Sequence, residues 1–311
     1  MELCYGILST SSIAPRFIAA VRTCGKGKIL ALSSRNLEKA REKAALWNIP
    51  TAYGSHEELL RDEKVNIVYI SNVNAQHYPW AKQALLAGKH VICEKPCTTS
   101  YAHTKELYEL ALEKRLFFME AQKMLFLPAV LEAQKRLPDL GNITMVELSH
   151  SFPGSYNGWM FDKEVGGGPL LSSGIYAVQL IEWLFGTITQ ISGVPSMEQG
   201  VEWQYILTGQ TAQGILFSAK NSTRAVLDNT CRIFGEKGYI ELPNYWKAQK
   251  VIFRIDGKKE ILEFPCQHEL SYEAEHIADC LNKGLLNSPV ITKALSLSGI
   301  EAIEKVKASW E

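Results

Sequence analysis

A chain of 311 residues is longer than one small domain and is expected to form two; with 46% apolar and 21% charged residues it can bury an ordinary core, which excludes a disordered protein. Lysine plus arginine equals aspartate plus glutamate at 33 each, so no net field draws the chain to nucleic acid or to an anionic membrane, and a small-molecule partner is expected. The seven cysteines are odd in number and widely spread, with no Cys-x-x-Cys pair and no metal-ligand spacing, which predicts reduced thiols, no metal centre and a cytoplasmic location. The first apolar run, Leu3 to Leu8, is too short for a signal-peptide core or a membrane span.

The first part of the chain alternates short apolar runs with helical patterns, the order expected of βαβ units on a parallel sheet. Leu3–Leu8 is predicted as a strand, Ile13–Thr23 as a helix with Ile13, Phe17, Ala20 and Val21 on one face, and Ile29–Ser33 as a second strand. Helices follow at Leu37–Trp47 and Glu57–Arg61, then a buried strand at Asn66–Ser71 and a helix at Tyr78–Ala87 ending at Gly88. His90–Cys93 is the next strand, closed by Glu94-Lys95-Pro96, and a helix at about Thr104–Lys114 leads to a strand at Phe117–Ala121. The doubly wound pattern ends near Gln122.

Beyond it the strands lengthen and alternate in polarity: Thr144–Phe152, Thr187–Val194, Glu202–Thr208, Gly214–Asn221, Cys231–Phe234, Tyr239–Glu241 and Val251–Ile255. Helices are expected at about Ser173–Phe185, Tyr272–Lys283 and Ala294–Ser309. The fold class is therefore α/β, with a doubly wound Rossmann domain over 1–122 and an α+β domain over 123–311 built on a large, mostly antiparallel open sheet.

The loop after the first strand, from Gly6 through Ser9, Thr10, Ser11, Ser12 and Ile13, lies between strand and helix as a dinucleotide fingerprint requires. Laid on Ser9, Ser11 and Ala14, the Gly-x-Gly-x-x-Gly/Ala pattern keeps only its last position. Serine hydroxyls there could donate to phosphate oxygens at the helix N-terminus, or Ser12 could simply cap the helix. The second strand ends in Ser33-Ser34-Arg35, with no acid before Glu38 to bind a free ribose 2′-hydroxyl. Arg35 with Ser33 or Ser34 suits a 2′-phosphate, so NADP is expected over NAD; the alternative is a solvated arginine opening a helix. Lys95 stands at the carboxyl edge of the sheet, where doubly wound folds place their ligands.

These motifs, with Asn72-Val73-Asn74-Ala75-Gln76-His77, the run Gly166-Gly167-Gly168-Pro169-Leu170-Leu171-Ser172-Ser173-Gly174-Ile175-Tyr176 and the segment Phe234 to Ile240, resemble the Gfo/Idh/MocA oxidoreductases over nearly the whole chain. The resemblance implies that Lys95 and Tyr176 are the catalytic pair, that Asn72, Asn74, His77 and Glu94 belong to the cofactor side, and that Arg35 reads NADP. It implies hydride transfer between NADP(H) and a hydroxyl or carbonyl of a sugar, polyol or cyclic diol. It also implies a C-terminal sheet that pairs subunits into a homodimer or higher homo-oligomer. Two positions depart from the family pattern: Ser11 replaces a glycine, and Ser172 an aspartate of the triple-glycine motif. They favour the alternative of a nucleotide-binding or regulatory member that has lost the chemistry, against which stands the retention of Lys95 and Tyr176. Trp159, with Met160 and Phe161, is read as an apolar wall of the substrate pocket or as core.

Overall fold

The computed structural model describes residues 2–154 and 158–310. In chain order it runs β1 (Cys4–Leu8), α1 (Ala14–Cys24), β2 (Lys28–Ser33), α2 (Leu37–Leu46), β3 (Thr51–Tyr53), α3 (His56–Arg61), β4 (Ile67–Ile70), α4 (His77–Leu86), β5 (His90–Glu94), α5 (Tyr101–Lys114) and β6 (Phe118–Ala121). Next come α6 (Pro128–Lys135), β7 (Ile143–Ser151), α7 (Ile175–Phe185), β8 (Ile188–Glu198), β9 (Val201–Thr211) and β10 (Leu216–Ser222). The chain continues with β11 (Thr230–Gly235), β12 (Gly238–Pro243), β13 (Lys250–Ile255), β14 (Lys258–Glu263), α8 (Ser271–Asn282) and α9 (Lys293–Ala308).

Two compact units contain these elements. The first is Met1–Gln122 with His268–Lys293, and the second is Lys123–Gln267 with Ala294–Glu311. The 123–311 span expected from sequence is thus not one body, because α8 returns to the first unit. It packs on α1, Lys26 Nζ reaches Glu275 Oε1 at 2.7 Å and Asp279 Oδ1 at 2.9 Å, and Phe118 N–H donates to Leu286 O at 3.1 Å.

The first unit holds an all-parallel sheet in the order β3-β2-β1-β4-β5-β6. Strands covered on both faces need uninterrupted apolar runs, and every residue of β4, Ile67-Val68-Tyr69-Ile70, is fully buried. The helices begin where side chains satisfy their free N–H groups: Asn36 Oδ1 accepts from Lys39 N at 3.0 Å, and Ser55 Oγ from Glu58 N at 3.2 Å. The strand order reverses between β1 and β4, the crevice where such sheets bind ligands.

In the second unit eight strands lie in the order β14-β13-β12-β11-β7-β10-β9-β8. Every pairing is antiparallel except β7 with β10. Phe217 and Ala219 of β10 and Tyr205 and Leu207 of β9 point into the core, with α6 and α7 packed on the sheet. The alternate residues Ile206 and Leu216 are exposed, as are Met145 of β7 and Val194 of β8. Period-2 alternation has sorted the two faces, but one of them remains apolar in part.

Candidate functional site

The carboxyl ends of β1, β2, β4 and β5 bring the residues expected on the cofactor side into four adjoining loops of the first unit. Ser9 adopts φ +112°, a backbone conformation that glycine usually provides, so the loop keeps a glycine-like path although the glycine letter is gone. The serine hydroxyls explain how. Ser9 Oγ donates to Ser71 O at 3.2 Å and accepts from Ser11 N at 3.2 Å, and Ser11 Oγ bonds Ser71 Oγ at 2.7 Å. Ser9 and Ser11 therefore tie the loop to the end of β4. Ser12 is exposed and does not cap α1; Ile13 holds the N-cap position without a side-chain bond, and a proline sits in the first turn. Thr10 lies half-buried between them.

Gly6 has another role than the one expected of it. It lies within β1, and a Cβ there would stand 2.7 Å from Leu59 Cδ2 and 2.9 Å from Val65 Cγ1, so its small size lets α3 close over the strand. Ser33 is likewise corrected. It is fully buried, and its Oγ is bonded to His56 Nδ1 at 2.8 Å. Ser34 is buried and accepts weakly from Asn36 N at 3.4 Å, whereas Arg35 is exposed. His56 Nε2 lies 3.4 Å from Asn72 Nδ2, which links the ends of β2 and β4 through one imidazole. Asn72 Oδ1 is buried without a hydrogen-bond partner, a cost that an added donor at this edge of the sheet would remove. That orphaned oxygen, the glycine-like turn at Ser9 and the uncapped start of α1 are together what a dinucleotide cradle requires.

His77 is a clamp. Its Nδ1 lies 2.8 Å from Pro96 O and its Nε2 2.9 Å from Asn72 O, so a neutral ring donates to one of these carbonyls and an imidazolium to both. The imidazole joins the segment after β4 to the segment after β5, where the Lys95–Pro96 peptide is cis. Asn74 is buried at the start of a short 3-10 turn, Asn74–Gln76. Glu94 is held from two sides, Tyr69 Oη donating to its Oε1 at 2.5 Å and Lys95 N to its Oε2 at 3.3 Å. Tyr69 is itself stacked on Phe17 at 3.7 Å. Lys95 follows on this braced turn. Burial pushes its ammonium below the ordinary lysine value and Arg16 adds to that, while Glu94 and Glu120 oppose it.

Three histidines of this unit have an acid consequence. Burial holds His56 down to about 4 and lowers His90 and His276, and His90 Nδ1 must stay unprotonated to accept from Phe117 N at 2.9 Å. Unfolded, each binds a proton near pH 6.5. Between the folded and unfolded values the unfolded chain holds more protons, so this stability is complete above about pH 6.5 and is lost as pH falls. The loss is at most about 1.4 kcal/mol per pH unit for each histidine. Calorimetric scans are expected to show the melting temperature dropping as pH falls from about 7.5 to 5; a flat profile contradicts the assignment.

In the second unit, Tyr176 is the second residue of α7 and is buried. The chain reaches it through Gly166-Gly167-Gly168 and a π-helical turn, Leu170–Gly174, where sequence suggested only the start of a helix at Ser173. The glycines are required by close backbone approach. Gly167 N donates to Asp162 O at 2.9 Å and Gly168 N to Met160 O at 2.8 Å, and a Cβ on Gly167 would lie 2.7 Å from both of those oxygens. Trp159, Met160 and Phe161 form the neighbouring 3-10 turn and are half-buried, so they are not core. Ser172, half-buried, donates to Gly168 O at 2.8 Å. His150 lies 6.4 Å from the Tyr176 ring, centroid to centroid, and is packed against Trp246 at 3.6 Å and Phe152 at 4.1 Å. Sequence reading missed Ser71, His56 and Tyr69 in the first unit and His150, Glu202 and Trp246 in the second. Only Ser71 had a signal, since it directly follows a buried strand of the parallel sheet.

Comparison with known proteins agrees with this geometry. A family model described as an oxidoreductase family with an NAD-binding Rossmann fold matches residues 3–122, and the GFO/IDH/MocA C-terminal domain matches residues 135–241. The trans-1,2-dihydrobenzene-1,2-diol dehydrogenase of Mus musculus is 32% identical, covering 99% of this chain and 96% of its own. That of Oryctolagus cuniculus is 34% identical over 97% of this chain and 96% of its own. Among solved structures, the 3-ketoreductase KijD10 of Actinomadura kijaniata, in complex with NADP and TDP-benzene, has a TM-score of 0.90 at 21% identity, covering 99% of this chain and 98% of that one. A levoglucosan dehydrogenase with NADH and levoglucosan has a TM-score of 0.89 at 18% identity, covering 100% and 98%. The structural likenesses show the shared fold, and the full-length sequence matches show descent: the chain belongs to the Gfo/Idh/MocA family of oxidoreductases.

Proposed function

We propose that this oxidoreductase transfers a hydride between NADP(H) and a secondary alcohol or the matching carbonyl of a cyclic diol, sugar or polyol. The observation that carries the reading is Lys95, delivered at the carboxyl end of β5 on a turn braced by Glu94, Tyr69 and His77. The named activities of the relatives, on a dihydrodiol and on levoglucosan, supply the substrate class. The nicotinamide, when bound, accepts or donates the hydride. The chain must then move the hydroxyl proton, and we assign that task to Lys95 and Tyr176 acting together. Tyrosine ordinarily titrates near 10, and an ammonium brought beside it would favour its phenolate. Screening the purified protein with NADP⁺ against trans-1,2-dihydrobenzene-1,2-diol, levoglucosan and a panel of polyols, by absorbance of the reduced cofactor, tests the reading. No turnover on any of them counts against it.

NADP is preferred to NAD in this reading because Arg35 is exposed beside the end of β2 and no carboxylate precedes Glu38. With Ser33 committed to His56, the arginine carries the preference, assisted at most by Ser34. Arg35→Ala is expected to erase it, since a bonded arginine–phosphate contact is worth roughly 1.5–3 kcal/mol, about tenfold to a hundredfold in affinity. Titration of each cofactor into both proteins decides the matter; wild-type protein that binds NAD as tightly as NADP sinks the idea.

The protein is further assigned as a cytoplasmic homodimer or higher homo-oligomer. Seven free cysteines support a reducing compartment. The exposed Leu216 and Met145 are register neighbours on β10 and β7, and Ile206 pairs with Val194 across β9 and β8, two apolar pairs on the sheet that a second copy would cover. Light scattering at micromolar concentration is expected to give at least twice the chain mass of 34.8 kDa. A monomer there excludes the assignment.

A further inference from the structure

Glu202 is the second residue of β9 and is only 2% exposed, an unusual place for a carboxylate. Its Oε1 accepts from Leu170 N at 2.8 Å. Leu170 opens the π-turn before α7, so its N–H lacks a partner within the turn, and an acidic group there also suits the dipole. Burial pushes the Glu202 carboxyl above the ordinary value, and Lys307 and the Leu170 N–H oppose that shift. The backbone is drawn close over this carboxylate. Gly168 has φ +106°, and a Cβ on it would lie 2.4 Å from Glu202 Oε1.

The same strands hold the rest of the turn. Asn221 Nδ2 of β10 donates to Ser173 Oγ at 2.7 Å, and Ser173 Oγ donates to Pro169 O at 2.9 Å. At the far end a Cβ on Gly174 would meet Tyr205 Oη of β9 at 2.5 Å. The turn is therefore seated at its start, middle and end by buried polar groups of β9 and β10. A π-turn carries one residue more than an α-turn, so its relaxation to α would rotate the succeeding helix by about 100°. Tyr176 lies two residues beyond the turn.

We propose that Glu202 is a positioning residue for Tyr176, its buried carboxylate seating the π-turn Leu170–Gly174 and so setting the direction in which α7 presents the phenol. The proposal rests on the reading of Tyr176 as a proton-transfer residue. Glu202→Leu keeps the volume and removes the acceptor, Glu202→Gln keeps both volume and acceptor, and Tyr176→Phe reports on the phenol itself. With NADP⁺ and the diol or sugar that the wild type oxidises best, well below each variant's melting temperature, Glu202→Leu is expected to lower kcat about tenfold or more with the KM for NADP⁺ unchanged. Glu202→Gln is expected to recover kcat to within about threefold of wild type. Normal turnover in Glu202→Leu beside a large loss in Tyr176→Phe overturns this proposal alone, as does failure of Glu202→Gln to recover kcat. Near-normal turnover in Tyr176→Phe overturns the reading of Tyr176 and this proposal together.

A second pair of variants tests the seat should Glu202→Leu fail to fold. Gly174→Ala presses on the Tyr205 hydroxyl and is expected to lower kcat; adding Tyr205→Phe removes the obstructing oxygen and is expected to restore it at least partly. No recovery in the double variant counts against the seat. Independent of any substrate, a crystal structure of Glu202→Leu, or of Gly174→Ala in its place, is expected to show Leu170–Gly174 departed from π geometry. An unchanged turn overturns the proposal.

Discussion

Replacing Lys95 by methionine, or Tyr176 by phenylalanine, is expected to lower turnover about 100-fold or more while NADP(H) still binds. Methionine keeps most of the length of Lys95 and removes the ammonium; phenylalanine keeps the Tyr176 ring and removes only the hydroxyl. Each change therefore deletes a group that can hold or move a proton and leaves the packing nearly intact. The competing explanation is that Lys95 serves only as a partner of Glu94 and that Tyr176 only packs among the buried aromatics near His150. Steady-state rates with fluorescence titration of the cofactor separate the two. A loss of rate with retained binding marks proton transfer, and near-normal turnover in both variants establishes the packing explanation. Rate and affinity falling together would instead indicate a damaged cofactor cradle, because Lys95 shares its turn with Glu94 and the His77 clamp.

The largest effect on stability is expected from Gly238→Ala. Gly238 opens β12 after the two-residue turn Glu236-Lys237, with φ +140°, and a Cβ on it would lie 1.8 Å from Arg254 O of β13. That oxygen belongs to the backbone of a paired strand and cannot move aside without breaking the register of Gly238 with Ile255. Backbone strain of about 1–3 kcal/mol and overpacking of about 1–3 kcal/mol then add, for a loss of roughly 2–6 kcal/mol and a melting temperature lower by about 10 °C. Thermal unfolding followed by circular dichroism measures it, and a change below about 1 kcal/mol refutes the account. Gly235, at the other end of the same turn, is similarly close to Leu140 O, where a Cβ would stand at 2.6 Å. The glycines of the Phe234 to Ile240 segment, read from sequence only as part of a family pattern, are thus explained by strand and loop packing.

Sequence by itself determined the fold class and most of the elements. Short apolar runs such as Ile67-Val68-Tyr69-Ile70, alternating with helical patterns, read as strands of a covered parallel sheet, and the polar alternation of β9 and β10 sorts those strands into two faces. Three elements were missed: helix α6, Pro128–Lys135, whose buried face is the short set Ala129, Val130 and Ala133, and the strands β3 and β14, which have little burial of their own. β3 is three residues long, and β14, Lys258–Glu263, is an edge strand exposed along most of its length, so neither carries a periodic apolar signal.

The placement of the site residues was legible only as far as strand ends are legible. Lys95 and Arg35 stand where their strands end, and sequence located both. What each polar side chain bonds to was decided by tertiary structure, because the partners lie far away along the chain. Ser9 and Ser11 turn back to Ser71 some sixty residues later, Ser33 is taken by His56, and the His77 ring stands between carbonyls of separate loops. The parallel pairing of β7 with β10, the return of α8 to the first unit and the meeting of Glu202 with Leu170 are of the same kind. Local periodicity records whether a residue is buried and on which face. It holds no record of which distant group satisfies a buried hydrogen-bonding atom, and that satisfaction determines which serines and histidines remain available for a ligand.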